Sequence, residues 1–177
     1  RIKKFKDHKV DLKIGVTGCV AQAESSEIFD RQPAVDFIVG PQSYHKFPDI
    51  ISRLKDGERN IIETRFQASD KFKSIASLAG KPKPSAFVTI QEGCDKFCTF
   101  CVVPYTRGKE VSRSQKDILN EIRESGKKGV KEVILLGQNV NSYNFEGISF
   151  SSLIYSLADI DEIKRIRFMT SHPRDMT

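Results

Sequence analysis

The sequence has no tryptophan, only two methionines and only three histidines. It has no apolar run near the ~18–20 residues that a membrane-crossing helix needs, so a helical membrane span has no support. No charged and apolar leader pattern stands at its start, and the expectation is a cytoplasmic protein without a membrane partner. Cysteine is scarce: four residues, of which Cys94, Cys98 and Cys101 crowd into one short segment and Cys19 stands apart. Spacing that tight, with nothing pointing to export, excludes a disulfide framework and reads first as a metal site. An acidic excess is also missing: 29 basic residues face 23 acidic ones, a net charge of +6. Residues 1–84 hold 16 basic and 11 acidic residues, and residues 85–177 hold 13 and 12. A basic balance is compatible with a nucleic-acid partner and equally with a solvated surface.

What is present is ordinary globular material. The 177 residues are 38% hydrophobic and 29% charged, enough to bury a core in one medium domain or two small ones. The stretch 71–84 mixes Lys, Ser, Gly and two prolines and predicts a linker between two lobes. In the first lobe, Leu12–Thr17 predicts a strand ending at Gly18-Cys19, followed by a helix over Ala23–Arg31 and a strand over Val35–Val39. Phe47–Leu54 predicts a helix with Ile50, Ile51 and Leu54 on one face. In the second lobe, strands are expected at Ala86–Gln91, Glu132–Leu136 and Ile163–Met169. Helices are expected from Ser114 to about Ser125 and from Ser151 to Ile160, the first capped by Ser114. The alternation of strands and helices makes the fold class α/β with parallel strands, and three such units fit part of a (β/α) barrel.

The segment Gln91-Glu-Gly-Cys94-Asp-Lys-Phe-Cys98-Thr-Phe-Cys101 has the spacing C-x3-C-x2-C and follows the first strand of the second lobe. Barrel active sites gather at that end of the strands. Three thiolates would leave one iron of a four-iron cluster open to a small molecule, since an electron-transfer cluster of that kind takes four cysteines. The alternative is zinc held by these sulfurs and a histidine, although His8, His45 and His172 all lie outside the segment.

Cys-x3-Cys-x-aromatic-Cys, with Phe100 at the aromatic position, resembles the radical S-adenosylmethionine (SAM) enzymes. The longer string from Glu92 to Arg113, including Val102-Val-Pro-Tyr-Thr-Arg107, resembles the MiaB-type methylthiotransferases of that superfamily. The likeness continues through Leu135-Leu-Gly-Gln-Asn-Val-Asn-Ser-Tyr143 and Arg165-Ile-Arg-Phe-Met-Thr-Ser-His-Pro173. Upstream, Gly15-Val-Thr-Gly-Cys-Val-Ala-Gln22 resembles the third cysteine segment of that family's N-terminal domain. Two further N-terminal cysteines of the family, its later barrel strands and its RNA-binding TRAM domain have no counterpart here. The likeness is therefore to an internal fragment. Asp95 stands where many relatives have asparagine.

The resemblance implies an organisation: residues 1–70 as the C-terminal part of the methylthiotransferase N-terminal domain, and 85–177 as the first three βα units of the radical SAM domain. It implies that Cys94, Cys98 and Cys101 hold the radical 4Fe-4S cluster, whose open iron binds SAM. Phe100 would pack near the SAM adenine, and Gly137, Gln138 and Asn139 would line the SAM pocket. Thr170, Ser171 and His172 would lie on the same face. Cys19 would be one ligand of an auxiliary 4Fe-4S cluster, or a free thiol where its partner cysteines are absent. Arg107, Lys109 and Arg113 are candidates for contacts to tRNA phosphates.

The implied activity is that of a tRNA methylthiotransferase acting at C2 of N6-isopentenyladenosine beside the anticodon. A low-potential electron donor such as flavodoxin or ferredoxin would serve it, and the 177 residues alone are expected to be inactive. Two rivals stay open: a sibling methylthiotransferase acting on threonylcarbamoyl-adenosine or a ribosomal protein, and a non-catalytic remnant that binds a cluster or zinc.

Overall fold

The computed structural model describes residues 3–9, 11–65, 71–72 and 84–176. The chain forms two units, Arg1–Ser74 with Tyr105–Arg107, and Ile75–Pro104 with Gly108–Thr177. The expected linker over 71–84 lies almost wholly outside the described residues.

The first unit runs α1 (Lys3–His8), β1 (Gly15–Thr17), α2 (Cys19–Glu24), α3 (Glu27–Arg31), β2 (Phe37–Val39), α4 (Phe47–Lys55) and β3 (Ile61–Glu63). Its sheet is parallel, in the order β1-β2-β3. The central strand is apolar throughout because both its faces are covered. Phe37 and Val39 pack with Ile50 and Leu54 of α4 and with Ile61. Ile38 packs on the other side with Ala21 and Ile28 of α2 and α3. Gly15 lets the Phe37 ring lie across β1: a Cβ there would stand 2.1 Å from the ring.

The expected single helix over 23–31 is two short ones. The break is at Ser25, whose φ of 45° leaves the helical region while its N–H closes on the Ala21 carbonyl. The strand β3 has no counterpart in the sequence reading, since Ile61-Ile62-Glu63 is too short to show a period.

Asp36 ties this unit together. Its side chain is 4% exposed, and its two oxygens lie 2.8 and 2.7 Å from Lys6 Nζ. It also accepts from the Ile14 N–H at 2.7 Å, while Lys6 Nζ reaches the Ala34 carbonyl. One carboxylate thus joins α1, the lead-in to β1 and the lead-in to β2.

The remaining chain runs β4 (Ser85–Thr89), β5 (Gln91–Glu92), α5 (Val103–Arg107), β6 (Val111–Ser112) and α6 (Gln115–Lys127). It continues through β7 (Glu132–Leu136), β8 (Asn144–Phe145), β9 (Ile148–Ser149), α7 (Phe150–Ala158) and β10 (Arg165–Phe168). The strands β4, β7 and β10 are parallel in sequential order, with β7 central. Ser114 caps α6, its hydroxyl accepting from the Asp117 N–H as the sequence predicts.

Both crossover helices cover the same face of this sheet. Ala86, Val88, Val133 and Leu135 from the strands share one core with Ile118 and Ile122 of α6 and Leu153 and Leu157 of α7. On the opposite face Phe87 is 61% exposed. Sequential parallel strands with both crossover helices on one side are the order found in (β/α) units and not in doubly wound sheets. Two short antiparallel ribbons, β5–β6 and β8–β9, escape a periodicity reading because each strand has two residues.

Burial pushes the Asp36 carboxyl up, but the Lys6 ammonium and the Ile14 N–H pull it down further, leaving it below its ordinary value of 3.8. The stabilisation is therefore complete above the ordinary carboxylate range and is lost as pH falls through the lowered folded value. Asp36→Ala should cost about 2–3 kcal/mol, because it strands the Ile14 N–H and the Lys6 ammonium together. Urea denaturation should show that loss at pH 7, with the gap between variant and parent narrowing as pH falls below the ordinary carboxylate range.

Candidate metal centre

The three clustered cysteines lie on a loop that leaves the C-terminal end of β4. Ile90, fully buried, takes its N–H to the Leu136 carbonyl and its carbonyl to the Arg113 N–H. The chain then enters β5, pairs with β6 and opens into the cysteine loop. Helical spacing would spread three sulfurs around an axis; here a loop closed at its base by a ribbon carries them instead.

Gly93 starts the loop with φ +85°, and a Cβ there would stand 2.1 Å from the Lys109 carbonyl oxygen. Only glycine accepts both that backbone angle and that approach. Both backbone groups of Gly93 are taken: its N–H donates to Gln138 Oε1 at 2.7 Å, and its carbonyl accepts from Gln91 Nε2 at 2.6 Å.

The Gln91 side chain is the hub. It is fully buried, and its Oε1 accepts from the N–H groups of Gln138 and Asn139 at 2.9 and 3.1 Å. One amide thereby joins the mouth of the cysteine loop to the loop after β7. Gly137 is needed there too, since a Cβ would stand 2.6 Å from Gln91 Oε1. The sequence pattern marks Gln91 only as the last residue of a strand, and nothing local points to its side chain.

Cys94, Cys98 and Cys101 are free, half-buried thiols. The Cys94 N–H donates to the Gly108 carbonyl and the Cys101 N–H to the Cys98 carbonyl. Burial pushes the Cys94 thiol up against the opposing Lys96 backbone N–H, and the charges of Glu110, Cys101 and Cys98 add to the rise. Glu110, bonded to Ser142, is raised first by its burial. Lys96, inside the loop, meets Asp175 Oδ1 at 2.8 Å, and Asp175 Oδ2 accepts from Asn139 Nδ2 at 2.7 Å. The Lys96 ammonium holds the Asp175 carboxyl below its ordinary range. Nothing in the sequence pattern marks Glu110 or Asp175.

The loop after β10 reaches the same place. Although His172 is distant in sequence, its Nε2 lies 3.8 Å from Cys98 Sγ. A histidine that lies outside the cysteine segment in sequence thus stands beside it in the fold. Thr170 Oγ1 donates to the Gly137 carbonyl, and the Val140 N–H to the Thr170 carbonyl. Ser171 is exposed.

The other candidates are spread more widely. Phe100 is 92% exposed. Cys19 opens α2 in the first unit, half-buried, just beyond the C-terminal end of β1. Arg113 is turned inward: its side chain is 12% exposed, paired with Glu121 and donating to the Thr89 carbonyl. Internal pairing takes Arg113 out of the set suited to phosphate. Lys109 is exposed and Arg107 half-buried.

Gln91→Leu keeps the volume and removes every bond of the hub. It orphans the Gly93 carbonyl and the N–H groups of Gln138 and Asn139, and should cost about 3 kcal/mol. Denaturation followed by near-ultraviolet dichroism should show this loss, whereas Ser151→Ala on the exposed start of α7 should cost under about 0.5 kcal/mol.

The sequence pattern of the radical SAM superfamily matches residues 88–176. The tRNA-2-methylthio-N(6)-dimethylallyladenosine synthase of Roseobacter denitrificans is 54% identical, over 99% of this chain and 41% of its own length. Its counterpart in Cereibacter sphaeroides is 52% identical, over 99% and 40%. That in Bartonella henselae is 51% identical, over 93% and 38%. The chain thus spans about two-fifths of the length of these curated relatives. With three cysteines at the C-terminal end of a parallel strand and that pattern over half its residues, the chain belongs to the radical SAM superfamily.

Proposed function

We propose that this chain supplies the radical-cluster segment of a tRNA methylthiotransferase, which adds a methylthio group at C2 of N6-isopentenyladenosine beside the anticodon. The observation that carries the reading is the loop of Cys94, Cys98 and Cys101, pinned by Gln91 to the strand ends where barrel enzymes place their chemistry. The relatives quoted above, named for that product, support the substrate class.

The donor set fits a four-iron cluster better than a single ion. Cys94, Cys98 and Cys101 offer three soft thiolate donors on one loop, a set that a cubane takes with one iron left over. One zinc ion draws its sulfurs to about 2.3 Å from a common centre, whereas a cubane gives each thiolate its own iron. Cys94, Cys98 and Cys101 would hold the cluster and leave one iron for SAM. When bound, the cluster and SAM supply a radical able to take hydrogen from an unactivated carbon, as the strong C2–H bond of the adenine requires.

The chain's own residues bind and orient. Asn139 Oδ1 is buried with no hydrogen-bond partner among the described residues, an acceptor suited to the ammonium of SAM. Gly137 keeps the backbone beside it close and bare. Phe100 offers a ring face to the adenine, with Thr170 and Ser171 beside the β10 end of the site. Lys109 and Arg107 are the cations we assign to tRNA phosphate, and flavodoxin or ferredoxin fits as the electron donor. Residues 85–177 read as the first part of the radical SAM barrel. Residues 1–70 read as the C-terminal part of the preceding methylthiotransferase domain, 71–84 as the linker between them, and Cys19 as an auxiliary cluster ligand.

Anaerobic reconstitution should load about four irons through the three-cysteine loop. The reduced protein should give an electron paramagnetic resonance signal that shifts on adding SAM. Cys98→Ala should abolish both, and one zinc per chain without a shift would refute the reading. The 177 residues alone should make no methylthiolated tRNA in a reconstituted assay read by nucleoside mass spectrometry.

A further inference from the structure

The His172 ring is fixed on both sides. Its backbone is locked by a reciprocal pair with Asn141: Asn141 Nδ2 donates to the His172 carbonyl at 2.9 Å, and the His172 N–H donates to Asn141 Oδ1 at 2.8 Å. Its Nδ1 accepts from the Arg174 N–H at 3.2 Å. A ring nitrogen that accepts carries no proton, so in the neutral imidazole the proton sits on Nε2. That tautomer is assigned from the hydrogen-bond network. Nε2 then points its N–H at Cys98 Sγ, 3.8 Å away, within the longer reach of a sulfur acceptor.

This arrangement separates two roles. To ligate a metal, Nε2 must offer a lone pair and the proton must move to Nδ1. There it would oppose the Arg174 N–H. The geometry therefore suits a donor and disfavours a fourth ligand.

We infer that His172 is a positioning residue that donates an Nε2–H···S bond to Cys98 and raises the reduction potential of the cluster carried by that sulfur. The inference rests on the cluster assignment under Proposed function. Reduction adds negative charge that is shared with the thiolate sulfurs. A donor to one of them stabilises the reduced form more than the oxidised form, and hydrogen bonds to sulfur are a main determinant of cluster potential. The loop after β10 would thus set how readily the cluster accepts its electron, without touching iron.

The test uses the reconstituted holoprotein with 15N-labelled histidine, and compares the parent with His172→Ala and His172→Gln. The Ala variant should keep about four irons and lose roughly tenfold in the ratio of reduced to oxidised cluster at a fixed poise, about 59 mV for one electron. The Gln variant, whose amide N–H can reach the sulfur, should recover part of that loss. Pulsed paramagnetic resonance of the parent should show a weak 15N coupling that both variants lack. An unchanged potential in both variants, with four irons bound, would overturn the inference and leave the cluster assignment standing. A strong 15N coupling, or loss of iron in both variants, would make His172 a ligand and overturn it as well. A parent that takes up one zinc and no cluster would overturn both readings together.

Discussion

Much of the second unit depends on one buried primary amide. Gln91 has no access to water, so each of its polar atoms must be satisfied inside, and the chain supplies the partners from two different loops. That requirement fixes where the cysteine loop begins and where the loop after β7 turns. A carboxylate in its place would need donors on every oxygen, and an apolar side chain would leave three backbone groups bare. The two glycines beside it, Gly93 and Gly137, are the steric counterpart: backbone must come within contact of backbone and amide for the bonds to form.

Each unit also uses a single carboxylate as a staple between segments distant in sequence. Asp36 joins α1 to the lead-ins of β1 and β2, and Asp175 joins the cysteine loop to the end of β7 through Lys96 and Asn139. Both are held below the ordinary carboxylate range, and in both a lysine ammonium and an N–H donor outweigh the cost of burial. The staples differ in setting. Asp36 is almost fully covered, whereas the side chains of Asp175 and Lys96 are 20% and 23% exposed, so water and salt weaken the second pair more.

The legibility of the molecule followed the range of the interactions. The strand β7 and the helices α4, α6 and α7 were plain because periodicity and capping are local, as Ser114 shows at the start of α6. The cysteine loop was plain because its chemistry lies in residue type and spacing. Ser25 was hidden: a run that is helical by composition breaks where the chain must turn to seat Ile28 against Ile38. The hub at Gln91, the staple at Asp175 and the approach of His172 to Cys98 were also hidden, because each joins residues that only the order of strands β4, β7 and β10 brings together. Arg113 read as a surface cation until its pairing with Glu121 turned it inward.

The shared core of β4, β7, α6 and α7 draws no member from the cysteine loop or its flanking ribbon. Its apolar contacts are complete without any sulfur taking part. The free energy that holds this sheet and its helices together therefore comes from the burial of apolar side chains, in contrast to small zinc domains, where the metal is the folding event. A change at any one of the three sulfurs would leave every apolar contact of this core in place.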